Sequence, residues 1–283
     1  MKGAKNIMGN ITWNFKGKVV VITGSATGIG RGTALQFAKA GADLALCDFN
    51  FEEVSRTAEK CQALTSGKVK AYKMNVTDVD EINAAKEAIL KDFGTVDVLF
   101  SNAGIASKVM GPPLENIPDS DWESTFAVNT LGMVKVCRAF ASIFREKKAG
   151  KVILTSSIAS WTSTPRTMPY SASKIATISF AQAFSIEMGE YNVNVNVICP
   201  GFVYTNIYSD GTALKYREAI GGPLKQFNDN ESVMNFMASA GSSLHRPQTV
   251  DDMAYTVMFL SSDEASEITG SVINVDSGFV KRV

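Results

Sequence analysis

The chain has 283 residues, 45% hydrophobic and 20% charged, with Lys+Arg and Asp+Glu balanced at 28 each. A globular chain of this size buries roughly 75% of the surface it would expose unfolded, enough for one large α/β domain or two small ones. Zero net charge argues against a nucleic-acid or anionic-membrane partner, since both are held by clustered Lys and Arg. No run approaches ~18 uninterrupted apolar residues, and residues 1–16 lack the apolar stretch of a secretory signal.

In chain order, residues 1–16 form an N-terminal extension whose Ile7, Ile11, Trp13 and Phe15 leave open a frayed tail or partial docking. Beyond it, short β-branched runs alternate with segments of helical period. The runs predict strands at Lys18–Thr23, Asp43–Asp48, Lys68–Met74, Val96–Ser101, Lys151–Ser156, Val193–Cys199 and Val272–Val275. Most are almost continuously apolar, as in a parallel sheet covered on both faces. Helices are predicted near 28–40, 50–65, 78–93, 120–146, 169–189 and 249–262, with a capping-box pattern at Ser120-x-x-Glu123 and Pro169 at a first helical position. This alternation implies βαβ units with right-handed crossovers, and no repeat or linker divides residues 17–283. The segment of about 202–246 is too long for an ordinary connection and reads as a lid.

The single histidine, His245, excludes most Ser–His–Asp and His-rich metal chemistry, and its place before Pro247 reads as structural; no metal site is predicted. Cys47, Cys61, Cys137 and Cys199 form no C-x-x-C and read as reduced thiols in a cytoplasmic protein.

The first strand runs into Thr23-Gly24-Ser25-Ala26-Thr27-Gly28-Ile29-Gly30 and then a helix, a turn that lets backbone approach a pyrophosphate at a helix N-terminus. The second strand ends in Asp48, an acidic residue placed to accept from an adenosine ribose and to repel a 2′-phosphate. Phe49 follows it and Arg31 is the one basic residue nearby, so NAD is expected over NADP. Asn75-Val76 and Ser101-Asn102-Ala103-Gly104 fall at further strand ends, where open parallel sheets bind ligands. Tyr170 and Lys174 share one helix face, and Ser157 ends the fifth strand. A hydroxyl donor, a phenol and a cation beside a nicotinamide are what alcohol–ketone hydride transfer requires, the ammonium favouring the phenolate.

Together T-G-x-x-x-G-I-G at 23–30, Asp48, S-N-A-G at 101–104, Asn129, Ser157, Y-S-A-S-K at 170–174 and P-G-F-V-Y-T at 200–205 resemble the short-chain dehydrogenase/reductases over about residues 16–280. The resemblance implies a doubly wound, mostly parallel seven-stranded Rossmann-like sheet in the order 3-2-1-4-5-6-7, and a homodimer or homotetramer. It implies Tyr170 as acid/base, Ser157 polarising the carbonyl, Lys174 lowering the tyrosine pKa and holding the ribose, and Asn129 anchoring a water. Pro200, Gly201 and Val203 would flank the nicotinamide, and Thr205 would contact its carboxamide or the pyrophosphate. The chain departs from the family pattern at Asn75, where Asp is usual, at Ser101 in place of Asn, and at Ser277 in place of Gly.

The substrate is least defined. Apolar lid residues (Tyr204, Ile207, Tyr208, Leu214, Tyr216, Phe227, Met234, Phe236 and Met237) either pack the lid or line a pocket with Ile158, Trp161, Met168, Val109 and Met110. A pocket of this kind suits a hydroxysteroid or other bulky cyclic alcohol, with a small polyol, diol or acetoin as the alternative. An acyl-carrier-protein ketone is less expected without a basic patch. A cofactor-sensing regulator is the non-enzyme alternative, though such a protein would typically lose the tyrosine or lysine.

Overall fold

The structure, a computed structural model, describes residues 11–163, 167–205 and 212–281. Seven strands form: β1 (Val19–Thr23), β2 (Asp43–Asp48), β3 (Val69–Lys73), β4 (Val98–Ser101), β5 (Gly150–Thr155), β6 (Val193–Pro200) and β7 (Val272–Val275). Every pairing is parallel and the order is β3-β2-β1-β4-β5-β6-β7. Val21 of β1 pairs with Ala45 of β2 on one side and Leu99 of β4 on the other, so the strand order reverses there. A crevice opens outside the carboxyl ends at that reversal.

Nine α-helices surround the sheet among the described residues: α1 (Gly28–Lys39), α2 (Phe51–Gln62), α3 (Val79–Phe93), α4 (Asp119–Phe126), α5 (Met133–Lys147), α6 (Met168–Gly189), α7 (Thr212–Ile220), α8 (Asn230–Gly241) and α9 (Val250–Ser261). Alternate strand residues build the two cores. Val20 and Ile22 pack with Phe37 of α1 and Met253 and Val257 of α9. Val21, between them, joins Ile89 of α3, Phe140 of α5 and Phe184 of α6 on the opposite face. Because both faces are covered, the central strands β1 and β4 are apolar at nearly every position and read as continuous runs, whereas the edge strand β3 exposes Lys70 and Lys73.

Several local expectations shift. The helix predicted near 120–146 begins at Asp119 behind Pro118, so Ser120 lies within the first turn and caps nothing. The reciprocal capping box is instead Thr249 with Asp252, at the start of α9. A π-helical turn, Ala127–Gly132, separates α4 from α5. Within the 29-residue run Asp119–Lys147, one 18-residue stretch reaches a mean hydropathy of 1.2, which by length and composition alone would suffice to span a bilayer. Its Val136, Phe140 and Phe144 are spent on the sheet, being almost fully buried. Residues 202–246 hold α7 and α8, helices the sequence reading left as loop. There Ala213, Leu224, Val233 and Met234 form a small core with Leu214, Phe227, Phe236 and Met237, so these lid residues pack against one another. In the extension, Phe15 is buried edge-on against Phe37 and its N–H donates to the Ala40 carbonyl, while Ile11 stays exposed.

All four cysteines are buried and free. Burial pushes the thiols of Cys61 and Cys137 up to about 12 and that of Cys199 to about 11. The folded state thus keeps protons that the unfolded chain releases above its thiol pKa near ~8.5. Stability is expected to hold through neutral pH and fall as pH rises above about 9, because there the unfolded state binds fewer protons. A thiol reagent should modify none of the four in the native protein at neutral pH and all four in denaturant. Native modification of one thiol would contradict this burial.

Candidate active site

The glycine turn after β1 is shaped by contacts that no side chain could share. A Cβ on Gly30 would lie 2.1 Å from the Gly24 carbonyl oxygen, and one on Gly24, at φ +66°, 2.7 Å from the Ala103 Cα. Backbone therefore forms the wall at Gly24, Thr27, Gly28 and Ile29, while Gly30 packs beneath it without reaching the cleft. Thr27, the N-cap of α1, makes no side-chain cap and the first turn carries no acid, so its amides are left for an anion. Thr205 reaches over this turn, its Cβ 3.4 Å from where a Gly28 Cβ would stand.

A cleft of about 650 Å³ runs from this turn along the strand ends. At one end Asp48, largely buried, accepts from the Ala26 N–H (3.0 Å) and the Asn50 N–H (3.0 Å), one on each carboxylate oxygen. Each oxygen keeps a free acceptor site for a ribose hydroxyl. Among the described residues that line the cleft, only Asp48 and Lys174 carry a charge, and the uncharged Phe49 and Asn50 follow Asp48. Asn75 is oriented by Thr77, whose N–H (3.0 Å) and hydroxyl (2.8 Å) both donate to its Oδ1. Val76 and Met74 complete that wall. The cradle, the uncapped helix and the carboxylate fit an extended dinucleotide.

Asn102 ties three strands together. Its Nδ2 donates to the carbonyls of Thr23 and Gly24 (both 3.2 Å), and its Oδ1 accepts from the Thr155 hydroxyl at 3.1 Å. The Thr23 hydroxyl in turn accepts from the N–H groups of Asn102 and Ala103. Thr155, which the sequence reading passed over, also takes the Lys174 ammonium on its carbonyl at 2.9 Å. No side-chain signal could reveal that carbonyl.

Ser157, Tyr170 and Lys174 meet at the far end of the cleft, with Asn102, Ala103, Gly104, Pro200, Gly201 and Val203 between them and the turn. Ser157 follows β5 and is held by the Ala159 N–H (3.1 Å), which its hydroxyl accepts. It hydrogen-bonds Tyr170, and Lys174 Nζ lies 5.8 Å from the tyrosine ring centroid. In the protein alone the tyrosine is raised above its ordinary value, contrary to the sequence expectation. Burial raises it, outweighing the Ser157 hydrogen bond that lowers it. Burial also brings Lys174 down to about 8, weakening the cation expected to stabilise the phenolate.

Asn129 lies behind this set, fully buried in the π-helical turn. Its Oδ1 accepts from the Ile105 N–H (2.8 Å), while its Nδ2 donates to the Ile105 carbonyl (2.9 Å) and to the Ser173 hydroxyl (3.0 Å). Its carbonyl already accepts from the Thr177 hydroxyl at 3.1 Å. The side chain thus clamps the loop after β4.

The substrate end differs from the sequence expectation. Ile158 is buried inside its short turn, and the Trp161 indole donates to Asn274 of β7 (3.1 Å), drawing the ring away from the cleft. Met168, at the first turn of α6, does not line the cleft, and Tyr204 is about half exposed beyond it. Tyr208 and Ile207 lie outside the described residues. The wall here comes instead from Ile105, Ala106, Ser107, Met110, Val128 and Thr167. Only Met110 among these was a sequence candidate; Ile105, Ala106 and Ser107 sit on a loop without periodicity, Val128 in the π-helical turn and Thr167 at the cap of α6. His245 is exposed and bonds the Ser239 carbonyl, and Ser277 adopts φ +57° while its hydroxyl accepts from Gln248.

Residues 18–213 match the family model for short chain dehydrogenases. The chain is 32% identical to 3-oxoacyl-[acyl-carrier-protein] reductase of Thermotoga maritima, across 94% of this chain and 98% of that protein. Among solved structures it is similar to carveol dehydrogenase of Mycobacterium avium in complex with NAD, with TM-score 0.86 and 26% identity over 95% of this chain and 99% of that one. NAD+-bound xylitol dehydrogenase aligns with TM-score 0.85 and 26% identity over 93% of this chain and 99% of that one. With its parallel sheet and nicotinamide-type cleft, the chain belongs to the short-chain dehydrogenase/reductase family.

Proposed function

We propose that the protein is an NAD-dependent dehydrogenase that interconverts a secondary alcohol and a ketone, with Tyr170 as the acid/base. The observation that carries the reading is the convergence of Ser157, Tyr170 and Lys174 on one cleft whose other end bears Asp48 and, among the described residues, no lining cation. A bound nicotinamide would supply the hydride acceptor for oxidation, or the donor for reduction. The residues would do the rest. The Ser157 hydroxyl holds the substrate oxygen, and the Tyr170 oxygen takes the alcohol proton in oxidation and returns it in reduction. Lys174, fixed by the Thr155 carbonyl, steadies the deprotonated tyrosine. Gly24, Thr27, Gly28 and Ile29 cradle the pyrophosphate, Asp48 takes the adenosine ribose, and Asn75 and Val76 take the adenine. Asn129 positions the loop and, through it, the substrate.

The NAD-bound relatives support the cofactor choice. A regulator that only sensed the cofactor would have no use for the tyrosine–lysine pair that faces this cleft. The apolar substrate end supports a hydroxysteroid or another bulky cyclic alcohol, with a polyol, diol or acetoin as the alternative. The Thermotoga relative makes a 3-oxoacyl thioester a necessary arm of the screen. Exposed Leu131, Ile175 and Ile186 support burial of this helical face against a second copy. Free buried thiols support a reducing, cytoplasmic setting.

Tyr170→Phe should lower kcat by roughly 10²–10⁴, the usual contribution of a positioned acid/base, while NADH binding followed by fluorescence stays within a few-fold. Full activity in that variant would remove the mechanism. Asp48→Asn should narrow the ratio of kcat/KM for NAD over NADP by about tenfold or more, since it removes the charge that repels a 2′-phosphate. An unchanged ratio would place cofactor choice elsewhere. Because the tyrosine must lose a proton to act as base and burial raises its pKa, kcat/KM for oxidation should climb from about pH 7 to 8, the gain lessening above that as Lys174 loses its proton. A plateau across that range would assign the base to another group.

A further inference from the structure

The loop that follows β4 is held more firmly than a turn that merely connects strand to helix. Asn129, fully buried, takes both the N–H and the carbonyl of Ile105. Asp121 of α4, only 2% exposed, accepts from the Lys108 N–H on one carboxylate oxygen (2.9 Å) and from the Val109 N–H on the other (3.2 Å). Two buried side chains from successive helical segments therefore fix the backbone on either side of Ser107. That serine is 5% exposed and lines the cleft, yet its hydroxyl has no hydrogen-bond partner among the described residues. A buried hydroxyl without a partner weakens the fold, and replacing it by a methyl group would cost the free protein no hydrogen bond. Its neighbours Ile105, Ala106 and Met110 give the surrounding wall only apolar side chains.

We infer that Ser107 is a specificity-determining residue, its hydroxyl satisfied by a second oxygen on the substrate. The substrate class is then an apolar-bodied secondary alcohol with a further hydroxyl or keto group, rather than a simple mono-alcohol. This rests on the alcohol–ketone reading above. The reacting oxygen is held by Ser157 and Tyr170, and Ser107 reads the other oxygen while the apolar wall takes the carbon body. Asp121 and Asn129 act through the loop and are positioning residues.

The test uses the whole chain with NAD and matched substrate pairs: cyclohexanol against the 1,2-, 1,3- and 1,4-cyclohexanediols, and a mono-hydroxylated steroid against its keto-hydroxylated counterpart. In the wild type, kcat/KM for the best two-oxygen member should exceed that of its one-oxygen partner by about tenfold or more, the weight of a buried hydrogen bond. In Ser107→Ala this ratio should fall to near one, whereas Ser107→Thr, which keeps a hydroxyl, should retain most of it. The Tm of Ser107→Ala should equal or exceed that of the wild type, which a structural role for the hydroxyl would not allow. A wild-type ratio near one in every pair, a ratio that survives Ser107→Ala, or a lowered Tm in that variant would each overturn the assignment. Absence of turnover for all members and for polyol, acetoin and 3-oxoacyl thioester substrates, with NADH still bound, would overturn the alcohol–ketone reading itself, an outcome distinct from measurable turnover without discrimination.

Discussion

One line of hydrogen bonds crosses the floor of the cleft, and the site depends on it. It runs from the Gly24 carbonyl to the Asn102 amide, from the Asn102 oxygen to the Thr155 hydroxyl, and from the Thr155 carbonyl to the Lys174 ammonium. It fastens the carboxyl ends of β1, β4 and β5, so the phosphate-type turn and the lysine keep a fixed separation whatever the surface loops do. Each link contributes about 0.5–1.5 kcal/mol, but loss of Asn102 would leave the carbonyls of Thr23 and Gly24 without this donor, at roughly 1–3 kcal/mol for each buried group left unpaired. The glycines serve the same clamp, since a Cβ on Gly30 would stand 2.8 Å from the Asn102 Nδ2.

A second clamp works at right angles to the first in function. Asn129 and Asp121 spend buried polar capacity on backbone amides of the loop after β4, fixing that loop rather than the glycine turn. The π-helical turn puts Asn129 in reach of that loop, while Ser173 and Thr177 join it to the helix that carries Tyr170 and Lys174. The two clamps share α6, so the loop after β4 and the Tyr170–Lys174 pair are tied to one helix. Burial of that helix then governs its chemistry. It raises the tyrosine, lowers the lysine to about 8, and leaves the Ser157 hydroxyl as the near group that favours the phenolate.

The described residues of the 202–246 segment form a cluster of their own. Its helices enclose their own core of Leu224, Val233 and Met234, so most of its large apolar residues are unavailable to a ligand. The substrate end is consequently built from the short loop after β4, with Thr167 at the entry to α6. The sequence reading placed substrate contacts on residues following Ser157 because they are apolar and near it in the chain. Trp161 shows why proximity misleads: one hydrogen bond to Asn274 of the edge strand directs its indole elsewhere.

Local sequence was sufficient for the strand–helix alternation, the glycine turn, Asp48, and the spacing of Tyr170 and Lys174, whereas the strand order was implied by the family resemblance. Those features are legible because periodicity, glycine content and helix-face spacing are properties of near neighbours in the chain. Edges were less legible: the true cap of α4, the π-helical turn and the two lid helices follow from packing against distant residues. Thr155 acts through a carbonyl, which every residue has, and Ser107 through the absence of a partner, which only the assembled surroundings define. The tertiary structure alone decided the direction of the Tyr170 pKa, because desolvation sums over every atom packed round a group, most of them far away in sequence.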